Sequence, residues 1–159
     1  MAIELVILDI DGVLTDGTKI YDEDHNVIAK KYCDLDFTAI KRMVKAGVNV
    51  CFLSGDKRIN EGMANKRGID FWYSRQKLET LEQILDKYKC RASNVAFMGD
   101  DVFDIPVMKA VSLSCCPINS PVDVQHVADK IFQRRSGEYL VSALYDYLAL
   151  NRLIPKAMV

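Results

Sequence analysis

Short apolar runs alternate with stretches of helical spacing along almost the whole of this 159-residue chain. The runs are IELVIL at 3–8, VNVCFL at 48–53, IDFWY at 69–73, NVAFM at 94–98 and VSLSCC at 111–116. Each is brief, largely apolar and rich in β-branched or aromatic residues, as suits a strand buried on both faces. Between them, 35–46 places apolar residues at 37, 40, 43 and 44, with Gly47 as a C-terminal stop. A helix over 57–67 closes at Gly68, and one over 75–88 aligns Leu78, Leu81, Ile84, Leu85 and Tyr88. Shorter spacing at 104–109 and an amphipathic stretch at 138–150 complete the series. Pro117 and Pro121 break the chain after the fifth run, and 151–159 reads as irregular. This order predicts an α/β fold in one domain, 1–159, with a mainly parallel sheet covered on both faces. One departure stands out: Ile20–Tyr21 and Val27–Ile28 flank the polar turn DEDHN, which reads as a small β-hairpin.

Composition narrows the function. Twenty-one basic residues face 22 acidic ones, for a net charge of -1. That balance gives no support to a nucleic-acid binder acting through bulk charge, or to a polybasic membrane surface. No apolar run reaches the ~18 residues of a spanning helix, and the opening MAIELVILDIDG has no basic leader. The five cysteines, Cys33, Cys51, Cys90, Cys115 and Cys116, show neither a disulfide framework nor metal-ligand spacing. They read as free thiols of a cytoplasmic protein.

In parallel sheets, ligands bind beyond the carboxyl ends of the strands. There this sequence concentrates its chemistry. Asp9 and Asp11 follow the first run, Ser54 the second, and Asp100 and Asp101 the fourth, with Asp104 close behind. Lys77 follows the third run at the start of a helix. Each Asp could serve alone as a turn or cap residue. Two acidic clusters at neighbouring strand ends, however, repel one another unless a cation or proton offsets them. A hard divalent ion such as Mg²⁺ suits carboxylate oxygens and leaves room for a phosphate oxygen. A hydroxyl at Ser54 and an ammonium at Lys77 would complete an anion site. His25 and His126 stand far apart and form no metal pair.

The segments DIDGVLTDG, LSG, Lys77 and GDDVFD, in that order, resemble the four motifs of the haloacid dehalogenase superfamily of phosphohydrolases. KKYCDLDFTAI, FLSGDKR and GDDVFDIPVMKAVSLSCCPINS extend the resemblance to one branch. That branch comprises the 3-deoxy-D-manno-octulosonate 8-phosphate phosphatases, with the related nonulosonate 9-phosphate phosphatases and the homologous domain of some acylneuraminate cytidylyltransferases. The resemblance implies a three-layer Rossmann-like core with a β-hairpin insertion and no large cap. It implies a Mg²⁺-dependent phosphomonoesterase acting on a phosphorylated sugar acid, as in lipopolysaccharide precursor synthesis. Asp9 would be the nucleophile and Asp11 the general acid and base. Ser54 and Lys77 would grip the phosphoryl oxygens. Asp9, Asp100 and the main-chain carbonyl of Asp11 would hold the metal, with Asp101 and Asp104 in support. Backbone N–H groups at 10–12 would also face the phosphate.

Hairpin and helix already fill the chain between Asp9 and Ser54, so no cap domain fits there. The resemblance implies homotetramers in which a neighbour's hairpin covers the site. The sequence also departs from its relatives. Asp34-Leu35-Asp36-Phe37 stands in place of a glycine-rich segment, SGD stands where arginine often follows the serine-glycine pair, and 134–139 (RRSGEY) keeps only Gly137 of a glycine loop. Arg58, Arg75, Arg134 and Arg135 are candidates to meet a substrate carboxylate. Two alternatives stay open: a phosphatase for another sugar phosphate or nucleotide, and a non-catalytic oligomerisation domain.

Overall fold

The computed structural model describes residues 2–158. Six parallel strands form the main sheet: β1 (Leu5–Leu8), β4 (Asn49–Ser54), β5 (Asp70–Tyr73), β6 (Val95–Met98), β7 (Leu113–Pro117) and β8 (Lys130–Phe132). Their order across the sheet is β5-β4-β1-β6-β7-β8. β1 is therefore central, and Leu8 pairs with Phe52 on one side and Met98 on the other. This register brings the loops that follow β1, β4 and β6 to one edge of the sheet.

The period of two along these strands sorts the core into two layers. Val6, Leu8, Phe52, Ala96 and Met98 face one side. They pack there against Phe37, Ile40 and Met43 of α1 (Asp34–Lys45) and Leu140, Leu144 and Leu148 of α6 (Leu140–Leu150). Leu5, Ile7, Leu53, Val95 and Phe97 face the other. Against them lie Leu81 and Ile84 of α3 (Lys77–Tyr88), Val107 and Met108 of α4 (Ile105–Ala110), and Val124 of α5 (Val122–Val127). Each fully buried Leu, Ile or Phe contributes roughly 1.5–3 kcal/mol of transfer free energy. The three-layer α/β arrangement follows from this two-sided pattern.

The structure adds two elements and trims others. α5 and β8 occupy the stretch after Pro121 that the apolar pattern left unassigned. α2 (Asn60–Arg67) begins three residues later than expected, because Ile59 holds a left-handed φ of 64°. Leu78 and Val44, expected on buried faces, are exposed, and Thr80 is buried in place of Leu78. The described tail residues, 151–158, form no helix or strand, yet they dock on their own chain. Ile154 is buried, and Tyr145 exchanges hydrogen bonds with the backbone of Ala157.

β2 (Ile20–Tyr21) and β3 (Val27–Ala29) form the antiparallel hairpin between β1 and α1. Asp22 organises its turn by accepting from the N–H groups of Asp24 and Asn26. Ile20 and Ile28 project from it at about 60% exposure, so its apolar face is uncovered by the described residues.

Candidate active site

The loop after β1 turns tightly because the N–H groups of Val13, Leu14 and Thr15 all donate to the carbonyl of Ile10. Gly12, at φ 82°, permits the turn. A Cβ there would sit 1.8 Å from Asp100 Oδ2, so only glycine lets the β1 and β6 loops meet. The two acidic clusters of the sequence thereby share one site.

Asp9 is buried. Its Oδ1 accepts from the Ile10 N–H at 2.7 Å, and its Oδ2 accepts from Lys77 Nζ at 2.9 Å. Lys77 also donates to Asp104 Oδ1 at 2.5 Å. The other oxygen of Asp104 accepts from the N–H groups of Asp100 and Asp101, which shapes the β6 loop. Among the described residues, no hydrogen bond reaches the Asp100 carboxylate.

These environments set the charges. Burial, followed by repulsion from Asp104, pushes Asp9 up to about 7 despite the attraction of Lys77. Burial and the carboxylates of Asp9, Asp104 and Asp101 push Asp100 up to about 8. Burial works to lower Lys77, but Asp9 and Asp104 outweigh it and hold the ammonium protonated. Asp9, Asp100 and Asp104 each bring an oxygen within 4.8 Å of the others. Asp104 already accepts three hydrogen bonds, against two for Asp9 and none for Asp100 among the described residues, so Asp100 and then Asp9 keep the most free coordinating capacity. An all-oxygen set with surplus negative charge fits a hard divalent cation such as Mg²⁺. The Asp11 carboxylate is not part of this group.

The Asp11 carboxylate turns the other way. Its Oδ2 accepts from Lys30 Nζ at 3.0 Å and Asn60 Nδ2 at 2.9 Å. The Lys30 side chain is wholly enclosed and also contacts Asp56 Oδ2 at 3.2 Å. Lys19 reaches the same oxygen at 3.1 Å, so both feet of the hairpin clip onto Asp56. Partial burial would raise Asp56, but hydrogen bonds from Arg58, Lys19 and Lys30 hold it well below the usual carboxylate range. Tyr32 donates to Asn60 Oδ1 at 2.8 Å. Burial, then the charges of Asp11 and Asp56, push Tyr32 up to about 12, so its hydroxyl stays a donor.

A cleft of about 650 Å³ joins these groups. Asp9, Asp11, Ser54, Lys77, Asp100, Asp101 and Arg75 all line it. The Ser54 hydroxyl donates to the carbonyl of Asp56 at 2.9 Å, so gripping a ligand requires that rotor to turn. Of the backbone donors at 10–12, Ile10 serves Asp9 and Gly12 serves Thr15, which leaves the Asp11 N–H. Arg58 pairs bidentately with Asp56. Arg134 and Arg135 are exposed and stand apart from the cleft lining. Asp36 is fully buried and stands apart from the cleft lining: its Oδ1 accepts from the Ser142 N–H in the first turn of α6. Gly137 packs where a Cβ would lie 2.7 Å from the Asp16 nitrogen, so it serves the approach of two loops.

Sequence reading missed Lys19, Lys30, Tyr32, Asn60, Asp56 and Phe103 as parts of this region. The one signal for the lysines was their symmetric placement at the feet of the hairpin. Phe103 is a cleft residue at 74% exposure, and its place after GDDV gave no hint of that.

Comparison with known proteins identifies the family and the fold. A family model for haloacid dehalogenase-like hydrolases matches residues 73–138. The 3-deoxy-D-manno-octulosonate 8-phosphate phosphatase KdsC of Yersinia pestis is 34% identical over 151 residues, spanning 93% of this chain and 80% of that protein. The cobalt-bound deoxy-D-mannose-octulosonate 8-phosphate phosphatase of Haemophilus influenzae superposes with a TM-score of 0.88 at 28% identity, covering 93% of this chain and 88% of its own. The Moraxella catarrhalis phosphatase, solved with magnesium, phosphate and KDO, shares the fold with a TM-score of 0.87 at 22% identity, covering 95% and 89%.

Proposed function

This chain belongs to the 3-deoxy-D-manno-octulosonate 8-phosphate phosphatases within the haloacid dehalogenase-like hydrolases, and from that premise we propose that it removes phosphate from a phosphorylated 3-deoxy-ulosonic acid. The observation that carries the chemistry is the buried Asp9–Lys77–Asp104 array facing the free Asp100 across the ends of β1 and β6. The 8-phosphate of 3-deoxy-D-manno-octulosonate is the substrate the relatives' names favour.

Asp9 attacks phosphorus; its oxygen–phosphorus bond forms as the bond to the sugar oxygen breaks. Asp11 gives that departing oxygen a proton. Asp11 then takes a proton from water as the water attacks the aspartyl-phosphate, and the Asp9–phosphorus bond breaks to release phosphate. Lys77 and the Ser54 hydroxyl meet the phosphoryl oxygens as charge spreads onto them. Asp104 keeps Lys77 protonated and aimed at Asp9. Asp9, Asp100 and the Asp11 carbonyl would hold Mg²⁺. That ion supplies neutralisation of the negative charges that nucleophile and ester bring together.

Arg75 lines the cleft and is the arginine best placed to meet the substrate's carboxylate. The open cleft and the uncovered hairpin support a homotetramer in which a neighbouring hairpin shields each site. A cytoplasmic setting accords with five free thiols. A panel of phosphorylated sugar acids, other sugar phosphates and nucleotides, each with and without Mg²⁺, tests the assignment. A kcat/KM preference for the 3-deoxy-ulosonic ester that vanishes with EDTA is expected. Equal turnover of unrelated esters would overturn the substrate, and no phosphate release from any would overturn the activity.

A further inference from the structure

Phe103 is out of keeping with the cleft it borders. Among the described residues that line this cleft, it is the one apolar side chain; the rest are charged, polar or glycine. It is also 74% exposed, although its backbone is tied on both sides. Phe103 occupies the middle of a single 3-10 turn, Val102–Asp104, that continues the β6 loop. Asp101 Oδ1 accepts from the Val102 N–H at 2.6 Å, and the Asp104 N–H donates to the Asp101 carbonyl at 2.9 Å. The Asp104 side chain is fully buried, with one oxygen on the N–H groups of Asp100 and Asp101 and the other on Lys77. Phe103 is thus one step along the chain from the carboxylate that holds Lys77. The turn carries the ring at a set place beside the phosphate-binding groups, and most of the ring is left uncovered.

A scattered exposed aromatic needs no explanation on a surface, but one standing in the wall of a charged cleft does. A phenyl ring offers a phosphate neither charge nor a hydrogen bond. The part of an ester it can meet is the carbon body. A phosphorylated sugar acid has both kinds of surface: hydroxyls and a carboxylate that seek polar partners, and C–H groups that gain by leaving water.

The geometry points to Phe103 as a specificity-determining residue: with the phosphoryl group held at Asp9, Ser54 and Lys77, its ring covers the C–H face of the sugar-acid body and favours esters that carry such a body. This role rests on the phosphatase reading of the cleft and adds a contact for the part of the substrate that does not react. A contact of that kind is the same in the ground and transition states, so its loss appears in KM rather than in kcat.

Wild type, Phe103→Ala and Phe103→Tyr are compared in steady-state turnover of 3-deoxy-D-manno-octulosonate 8-phosphate with Mg²⁺, with inorganic phosphate as a competitive inhibitor. If the wild type rejects that ester, its best sugar phosphate takes its place. Phe103→Ala should raise KM roughly 5- to 30-fold with kcat within about threefold, the range for returning about 40–80 Å² of apolar contact to water. The Ki of inorganic phosphate, which has no carbon body to cover, should stay within about twofold. Phe103→Tyr keeps the ring, so its KM should stay within about threefold of wild type. The side chain packs little against its own chain, so its removal leaves the core intact. An unchanged KM in Phe103→Ala would overturn the assignment, as would a Phe103→Tyr that loses as much as Phe103→Ala. So would a phosphate Ki that rises in step with KM, the mark of a disturbed phosphoryl site, or a smaller mass by light scattering, the mark of a contact with a second copy. Each of these leaves the phosphatase reading standing. A wild type that releases phosphate from no ester would sink that reading, and the role of Phe103 with it.

Discussion

At the residue scale, one lysine joins two duties. Lys77 neutralises Asp9 and is itself held between Asp9 and Asp104, so its position is set before any phosphate arrives. Preorganised charge of this kind is worth more than charge that must reorganise. Lys77→Met should therefore lower kcat by about 10²–10³-fold, the usual consequence of losing one donor to a developing oxyanion. Steady-state assays on the sugar phosphate check this, and a loss under threefold would remove Lys77 from the chemistry. The motif residues themselves were legible in sequence, because Asp9, Ser54, Lys77 and Asp100 each follow an apolar run. Their second partners were not. Lys30 and Asn60 meet Asp11, and Tyr32 meets Asn60, only through the return of the hairpin and the strained turn at Ile59, and neither leaves a periodic trace in sequence.

At the scale of elements, α1 and α6 are joined by a cap supplied from outside the capped helix. Asp36 of α1 accepts from the Ser142 N–H, which would otherwise be an unpartnered donor in the first turn of α6. Burial raises Asp36 above the ordinary carboxylate value, opposed by the backbone N–H groups of Ser142 and Val141 and by Arg134. Asp36→Ala should lower stability by roughly 1–2 kcal/mol, the value of a lost N-cap, and leave kcat near wild type. Thermal denaturation beside an activity assay decides this, and a variant of native stability that fails in catalysis would place Asp36 in the substrate site. The sequence pattern revealed β1, β4, β5, β6 and β7 of the main sheet and the long helices because each carries its own apolar run or stripe. It failed for α5 and β8, which are six and three residues long and sit between prolines and polar turns. It also misjudged Leu78, since helical spacing alone does not say how wide the buried face is.

At the scale of the whole molecule, the fold concentrates negative charge at the edge of an otherwise apolar sheet. Asp9 and Asp100, pushed up to about 7 and about 8, bind protons more readily in the folded chain than in the unfolded one. That stabilisation is complete below the ordinary carboxylate value of about 3.9 and is lost as pH rises through 7 to 8. The metal-free protein should therefore lose Tm as pH rises from about 5 to about 8. Mg²⁺ replaces the protons, so the Tm it adds should be larger at about pH 8 than at about pH 5.5. Differential scanning calorimetry with EDTA or Mg²⁺ reads both, and a Mg²⁺ gain that is greater in acid would contradict the metal assignment. The uncovered hairpin sets a second expectation: specific activity should decline on dilution together with the mass seen by light scattering. A fully active monomer would end the shared-site proposal. The most direct test of the account is phosphate release from 3-deoxy-D-manno-octulosonate 8-phosphate by wild type and Asp9→Asn at saturating Mg²⁺. Saturable turnover by the wild type and a loss of at least about a thousandfold in the variant are expected. Comparable rates in the two proteins would contradict it.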